Sequence, residues 1–166
     1  MTTTTKRAFV TTSDGVKLYT ETTGEGDAII FVHEFAGHHL SWETQIRYFS
    51  RRYRCISYQA RGWPPSDVPA NVDSYSQARA ADDIADVMRG LGIDKAHIVG
   101  LSMGATAAIE FAIRHPGKGL SIAAAGAGTG STRDAATLAR FRREAEATAA
   151  RIERDGIAAL GEIYLA

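Results

Sequence analysis

The sequence has little of what would place a protein in a membrane, on nucleic acid or in an oxidising compartment. It has a single cysteine among 166 residues, so no internal disulfide can form. The 19 Lys and Arg residues cancel the 19 Asp and Glu residues, which leaves no overall field that attracts nucleic acid or an anionic membrane. No apolar run is long enough to span a bilayer, and no apolar signal-peptide region follows residues 1–7. We therefore expect a cytoplasmic protein without nucleic-acid or membrane partners, in which Cys55 is a small buried apolar side chain.

The chain is long enough for one domain with an apolar core, and its hydrophobic pattern predicts how that core is built. Residues 8–11 and 16–21 flank Asp14-Gly15, which is typical of a β-hairpin. Residues 28–32 are apolar throughout, as expected for a strand covered on both faces of a parallel sheet. Further strands are predicted at 53–58, 96–99 and 120–125, with helices from about Ser41, Ser74, Ala105 and Ser131. This order predicts an α/β fold, a mostly parallel sheet with flanking helices.

The most informative segment is residues 100–104, Gly-Leu-Ser-Met-Gly, which matches the pattern G-x-S-x-G between a predicted strand and a predicted helix. A nucleophilic serine on such a turn has a strained backbone, and its neighbours two residues away must lack bulk. Gly100 and Gly104 meet that requirement. The helix that follows directs its first N–H groups towards the serine, where negative charge develops during acyl transfer. The pattern therefore predicts Ser102 as a nucleophile, against the alternative of a purely structural turn.

Two other patterns suggest ligand sites, but their spacing does not fit. Residues 126–130 read G-x-G-x-G, with Ser131 where a dinucleotide fingerprint has its third glycine. No acidic residue appears downstream at the end of a strand, where that fingerprint has its acidic partner. His33-Glu34 and His38 place two histidines five apart on a loop, whereas the zinc motif needs them four apart on a helix. The sequence therefore implies no cofactor and no metal ion.

One basic cluster interrupts the balanced charge. Residues 51–54, Arg-Arg-Tyr-Arg, lie where a helix is predicted to end, a position at which cations are favourable. A nucleic-acid patch is the weaker interpretation of this run.

The order of elements, the loop that begins at His33, the Arg61-Gly62 loop and the Gly-Leu-Ser-Met-Gly turn together resemble the α/β-hydrolase fold family, and more closely its capped esterases, lactonases and C–C-bond hydrolases. The resemblance extends from about residue 14 to residue 130. It implies an oxyanion hole formed by the backbone N–H groups of Phe35 and Met103. It also implies a small-molecule ester, lactone or related carbonyl substrate that forms an acyl-enzyme at Ser102.

Three positions depart from the pattern of this family. Glu34 follows the loop histidine where a glycine is usual, Gln59 stands where an aspartate is common, and Pro64 stands where a glycine is common. These departures leave the expected fold unchanged, but they put the shape of the oxyanion loop in question.

The family orders its triad as Ser, then Asp or Glu, then His, with the last two on loops after later strands. The strand at 120–125 corresponds to the sixth strand of the family, and no histidine follows His115. We therefore expect a partial hydrolase, with a core at residues 1–130 that ends after this strand and the beginning of a helical lid at 131–166. His38 and His39, expected on the same face as Ser102, are the candidates for the missing base.

Two interpretations of another class stay open beside the hydrolase. In the first of these two interpretations the chain is a non-catalytic binding module that keeps the pocket without the triad. In the second it is an oligomerising unit. In the second case the uncharged edge strand at 120–125 pairs with a second copy of the chain.

Overall fold

The structure is a computed structural model that describes residues 4–128, 134–156, 158 and 161. It divides into two compact units, Met1–Ala127 and Gly128–Ala166. The strands of the first unit are β1 (Lys6–Thr11), β2 (Lys17–Thr23), β3 (Ala28–Val32), β4 (Arg54–Tyr58), β5 (Ala96–Leu101) and β6 (Gly119–Ala125), and its helices are α1 (Glu43–Phe49), α2 (Gln77–Gly90) and α3 (Met103–Arg114). The described helix of the second unit is α4 (Ala135–Asp155).

The six strands form one sheet in the order β1-β2-β4-β3-β5-β6. The strands of the β1–β2 hairpin are antiparallel, and β2 pairs with β4 in antiparallel fashion. The four strands β3, β4, β5 and β6 run parallel to one another. The predicted hairpin and the predicted mostly parallel α/β sheet are therefore confirmed. All of β3 is buried, because it lies in the centre of the sheet with a covered face on each side.

The core forms two apolar layers, one on each face of the sheet. Ile30, Ile56 and Ile98 are fully buried on the face that packs against α2 and α3. On the opposite face the buried cluster consists of Ile29, Phe31, Trp42 and Cys55. Cys55 is a free, buried thiol, as predicted, and burial raises its pKa to about 11.

Two predicted helix starts are wrong, because a short 3-10 turn precedes each helix. Ser41 lies inside a 3-10 turn, His39–Trp42, which His38 caps, and α1 begins only after that turn. Ser74 ends a second 3-10 turn, and the residue that caps α2 is Ser76, whose hydroxyl accepts the N–H of Arg79 at 3.0 Å. Ser41 instead donates its hydroxyl to Glu34, and the backbone carbonyl of Ser74 accepts a hydrogen bond from Arg61.

In the second unit the described helix, α4, starts after Asp134, whose carboxylate accepts the N–H of Thr137 at 2.7 Å. The predicted helix start at Ser131 and the predicted boundary between residues 130 and 131 lie outside the described residues. The assignment of 131–166 to a lid therefore stays a prediction. No helix in the described part of the chain is both long and apolar enough to cross a membrane.

A buried guanidinium fixes the loop that follows β4. Arg61 is 4% exposed and forms two hydrogen bonds to Asp83 of α2, both at 2.7 Å. It also donates to both carboxylate oxygens of Asp14 in the hairpin turn, at 2.8 and 3.0 Å, and to the carbonyl of Ser74 at 2.9 Å. These hydrogen bonds hold the pKa of the Asp14 carboxyl well below its usual range. Arg61 thereby ties the hairpin and α2 to one of the loops at the carboxyl edge of the sheet.

Replacing Arg61 by Met should lower the free energy of unfolding by about 3–5 kcal/mol, because Asp83 would stay buried without its main partner. Arg61→Lys should have an intermediate effect, since an ammonium group cannot form the paired hydrogen bonds of a guanidinium. Urea unfolding at pH 7, followed by circular dichroism, measures both changes.

The matched control is Arg47→Met, which removes an exposed guanidinium that pairs with Glu43 within one helix. Such pairs contribute about 0.3–0.5 kcal/mol. An equal loss in the Arg47 and Arg61 variants would show that the Arg61 cluster does not hold this part of the fold together.

Candidate active site

Three segments meet at one edge of the sheet. Because β3, β4 and β5 are parallel neighbours, their carboxyl ends lie side by side. The segments that leave these ends are residues 33–38, residues 59–67 and the turn at Ser102. Ligands of open α/β sheets bind at this edge, so the geometry of these segments decides what chemistry the chain can perform.

Ser102 occupies a turn that is too tight for side chains on either side. β5 ends at Leu101 and α3 starts at Met103, which leaves Ser102 as the one residue between strand and helix. A Cβ atom at Gly100 would collide with the carbonyl oxygen of Gly104. One at Gly104 would collide with the carbonyl oxygen at the end of β3. Glycine at both positions is therefore a steric requirement of this turn.

The backbone of Ser102 has φ 51° and ψ −112°, and it is the one non-glycine residue with positive φ in the described part of the chain. Such a conformation costs on the order of 1–3 kcal/mol and persists where neighbouring contacts enforce it. Here the N–H of Ser102 donates to the carbonyl of Ala125 at 2.9 Å. The carbonyl of Ser102 accepts the N–H groups of Ala105 and Thr106 at 3.0 and 3.1 Å. The hydroxyl is left exposed at the edge of the sheet.

Two backbone N–H groups at this edge are free to donate. The N–H of Met103 opens α3, and no side chain caps that helix. Within the described residues, neither this N–H nor that of Phe35 forms a hydrogen bond. The Phe35 ring is 43% exposed and packs edge-on against Trp63, with ring centroids 5.6 Å apart. The two predicted oxyanion donors thus lie on segments that meet at the same edge, and their role stays a prediction.

Glu34 folds back over its own loop. A Cβ atom at Gly37 would overlap the Glu34 carboxylate, so the loop closes around that side chain. One oxygen of Glu34 accepts the hydroxyl of Ser41 at 3.1 Å, and Ser41 in turn accepts the N–H of His38 at 3.2 Å. The other oxygen is buried without a partner among the described residues. Glu34, at the position where the family that the sequence resembles usually has glycine, therefore orders residues 34–41 through hydrogen bonds within the loop.

His33 joins two of the three segments and is neutral. It is fully buried, its Nδ1 donates to the carbonyl of Glu34 at 2.7 Å, and its Nε2 accepts the N–H of Ala60 at 3.1 Å. Burial lowers the pKa of His33, because the charged imidazolium would lose its hydration. Both ring nitrogens are occupied, which excludes His33 as a metal ligand in this arrangement.

The structure does not bring His39 to Ser102. Its backbone N–H and its Nδ1 both donate to the side-chain oxygen of Gln59, at 2.9 and 2.7 Å. Its Nε2 faces Glu21 of β2 at 3.8 Å, and its ring packs edge-on against Tyr19. Because β4 and β3 stand between β2 and β5, the strands involved are about 14 Å apart. His39 therefore faces away from the serine that it was expected to serve.

His38 is exposed and caps the 3-10 turn that precedes α1. Its Nδ1 accepts the N–H of Leu40 at 3.2 Å, and its ring lies 5.5 Å from the ring of His39. Within the described residues no side chain forms a hydrogen bond with the hydroxyl of Ser102. Ser102 thus has the strained turn and the neighbouring N–H groups, but within the described residues no side chain is hydrogen-bonded to its hydroxyl as a base would be.

Three carboxylates lie close enough to share a cation, with ligand oxygens of Asp14, Asp83 and Asp86 within 4.8 Å of one another. Guanidinium groups already occupy this cluster. Arg61 pairs with the first two carboxylates, and Arg79 donates to Asp86 at 2.7 Å. The cluster is therefore an internal ion network rather than a metal site.

The residues that order this edge were not assigned a role from the sequence. The signal for Arg61 was indirect: Asp83 and Asp86 lie in α2 beside its apolar stripe rather than in it, both are buried, and a buried carboxylate requires a cation. The contact between Glu34 and Ser41 has no comparable signal, because Ser41 is an equally good helix cap by its type.

Comparisons with known proteins agree with this geometry. A family model described as alpha/beta hydrolase fold matches residues 27–155. Epoxide hydrolase 1 of Caenorhabditis elegans is 38% identical over 103 residues, which are 61% of this chain and 26% of that protein. A 3-oxoadipate enol-lactonase of Acinetobacter baylyi is 29% identical over 119 residues, 70% of this chain and 44% of that protein. The crystal structure of an epoxide hydrolase from Vigna radiata aligns with a TM-score of 0.68 and 26% identity, over 71% of this chain and 37% of that one. The chain thus spans less than half of each of these proteins.

Replacing Gly104 by Ala should lower the free energy of unfolding by about 1–3 kcal/mol, because the new methyl group would press against backbone that cannot rotate away. Gly128→Ala is the control, since a Cβ atom there has no described residue within 4 Å. Thermal unfolding of both variants measures the difference. Equal transition temperatures would contradict the close approach of α3 to the end of β3.

The neutral state of His33 should make this edge sensitive to acid. Because its folded pKa is lowered, its contribution to stability is complete above its unfolded pKa of about 6.5 and is lost as the pH falls through that value. The stability difference between the wild type and His33→Gln should therefore shrink between pH 7.5 and pH 5.5. Urea unfolding at the two pH values measures it, and a constant difference would mean that His33 is not held neutral.

Proposed function

Since the chain belongs to the α/β-hydrolase fold family, we propose that it is a hydrolase whose nucleophile is Ser102 and whose substrate is an ester, a lactone or a related carbonyl compound. The observation that carries the proposal is the strained turn, which presents an exposed hydroxyl beside the free N–H of Met103. That pairing suits attack on a carbonyl carbon, because the same reaction places negative charge on the carbonyl oxygen.

In the proposed reaction the oxygen of Ser102 bonds to the carbonyl carbon, and its proton passes to a base. The N–H groups of Phe35 and Met103 donate to the oxyanion, and removing one such donor typically costs about 3 kcal/mol of transition-state stabilisation. The alcohol then leaves with a proton, and water releases the acid from the acyl-enzyme. The base gives its proton to the leaving alcohol, takes one from the attacking water, and finally returns it to Ser102, so its protonation state alternates from step to step.

The chemistry of serine favours a carbonyl substrate over an epoxide. Attack of the Ser102 hydroxyl on an epoxide carbon opens the ring and forms an alkyl ether. An ether has no carbonyl carbon for water to attack, so the enzyme would be trapped after one turnover. An ester formed at the same serine is released by water, which allows repeated turnover.

Epoxide hydrolysis is nevertheless the second candidate, because two of the proteins compared above carry that name. For this chain it would require water to attack the epoxide directly, with Ser102 as a hydrogen-bond donor at most. The candidates therefore differ in one testable respect, which is whether a covalent intermediate forms at Ser102.

The base is the open part of the proposal. His38 is the preferred candidate, since it lies exposed on the loop that starts at the carboxyl end of β3, whereas the ring of His39 is hydrogen-bonded to Gln59 and faces Glu21. We further propose that residues 131–166 are the beginning of a helical lid. The edge strand β6 pairs, among the described strands, with β5 alone and is largely exposed, which supports self-association; the mass of the chain in solution tests it.

We expect the chain to hydrolyse 4-nitrophenyl acetate and to lose this activity about 10³-fold or more on Ser102→Ala, because a serine nucleophile has no substitute. A fluorophosphonate should add its mass to the wild type and not to the variant. Ser121→Ala, which changes an exposed serine of β6, should keep the wild-type rate.

Equal ester rates in the wild type and Ser102→Ala, with no labelling, would reject Ser102 as a nucleophile and favour the non-catalytic binding module. Styrene oxide is the substrate that tests the second candidate, epoxide hydrolysis. Turnover of styrene oxide that survives Ser102→Ala would support direct attack by water and the second candidate.

A further inference from the structure

A cleft of about 250 Å³ opens beside the last turn of α1. Its lining consists of aromatic and arginine side chains: Tyr48, Phe49, Arg51, Arg52 and Tyr53. Because these residues precede β4 and Ser102 follows β5, its parallel neighbour but one, the cleft lies at the amino edge of the sheet. It is therefore separate from the candidate active site at the carboxyl edge.

Two guanidinium groups at this cleft have no partner in the part of the chain that the structure describes. Arg51 and Arg52 form neither an ion pair nor a side-chain hydrogen bond, although both are exposed. Their neighbours are engaged: Arg47 pairs with Glu43 at 2.7 Å, and Arg54 donates to the carbonyl of Leu91 at 3.1 Å. The free charge of this segment is thus concentrated at the cleft.

The expected role of these arginines as cations at a helix end does not account for them. The carbonyl of Ile46 accepts the N–H of Ser50, and that of Phe49 accepts the N–H groups of both Arg52 and Tyr53. These last-turn carbonyls are satisfied by backbone, so they leave the guanidinium groups without a capping function. Glu25 and Asp27, on the adjoining loop, form no ion pair with either arginine within the described residues.

The aromatic side chains form a continuous wall. The rings of Tyr48 and Phe49 meet edge to face with centroids 5.1 Å apart, and those of Phe49 and Tyr53 are 6.1 Å apart. Tyr48 is 66% exposed and Phe49 is 37% exposed, so apolar ring surface remains open to solvent. The guanidinium of Arg51 lies 6.0 Å from the centre of the Tyr48 ring, within cation–π distance.

We propose that this cleft binds a small aromatic anion of one ring, with the ring against the aromatic wall and the anionic group between Arg51 and Arg52. Guanidinium groups donate paired hydrogen bonds to carboxylate and phosphate oxygens, and aromatic faces add stacking contacts. The volume fits one ring: a cavity of about 150 Å³ holds benzene, and drug-sized ligands occupy about 300–1,000 Å³.

Phenyl phosphate tests this proposal in a titration of the whole chain followed by amide chemical shifts. We expect saturable shifts at residues 48–53 and none at residues 100–104. Arg51→Gln and Arg52→Gln should each weaken binding about five- to tenfold, a factor of ten being 1.4 kcal/mol. Tyr48→Leu, at a residue exposed enough to leave the fold intact, should weaken it to a similar extent.

Arg47→Gln is the matched control, because it removes the same charge from the adjoining helix α1, outside the lining of the cleft, and its affinity should stay within about twofold of the wild type. Inorganic phosphate and phenol should each bind at least about tenfold more weakly than phenyl phosphate. The proposal fails if no saturable shift occurs, if Arg47→Gln weakens binding as much as Arg52→Gln, or if inorganic phosphate binds as well as phenyl phosphate.

Discussion

The position of Ser102 depends on a close approach of backbone to backbone. At Gly100 and Gly104 no Cβ atom fits between β5, α3 and the end of β3. This approach leaves one residue to turn the chain from strand to helix, and Ser102 adopts positive φ because no longer connection fits. The helix then begins beside the serine with its first N–H groups unpaired. Exposure of the hydroxyl, strain of the backbone and free donors are thus consequences of one steric constraint.

A second constraint holds the neighbouring loop by charge rather than by contact. Arg61 is buried and pairs with the exposed Asp14, 47 residues away in the chain, and with the buried Asp83, 22 residues away, so the hairpin and α2 meet at one guanidinium. A buried ion pair contributes little net stability compared with apolar packing, but its directional hydrogen bonds accept few alternative arrangements. We infer that the network sets the path of residues 59–67 across the site, while the apolar layers on both faces of the sheet supply most of the stability.

The sequence predicted the features that depend on regular periodicity. The hairpin follows from side-chain alternation, the fully buried β3 follows from an unbroken apolar run, and the Gly-x-Ser-x-Gly turn follows from steric requirements local to a few residues. Ser41 and Ser74 were mistaken for helix caps because capping preference depends on residue type, and Ser41 is instead held by Glu34, seven residues away. The direction of His39 could not be predicted either, since its partner Gln59 lies 20 residues further along the chain. Side-chain contacts between distant segments decide these details, and no short pattern encodes them.

The shared fold does not by itself transfer the reaction of a relative to this chain. One fold supports many reactions, and the group at the tip of the turn decides which intermediate forms and whether water can release it. A serine at that position forms an ester with a carbonyl substrate and an ether with an epoxide. Water readily cleaves the ester but not the ether. The proteins named epoxide hydrolases therefore support the architecture of this chain more strongly than they support its substrate. The identity of residue 102 is the stronger argument about chemistry, because it constrains every step after binding.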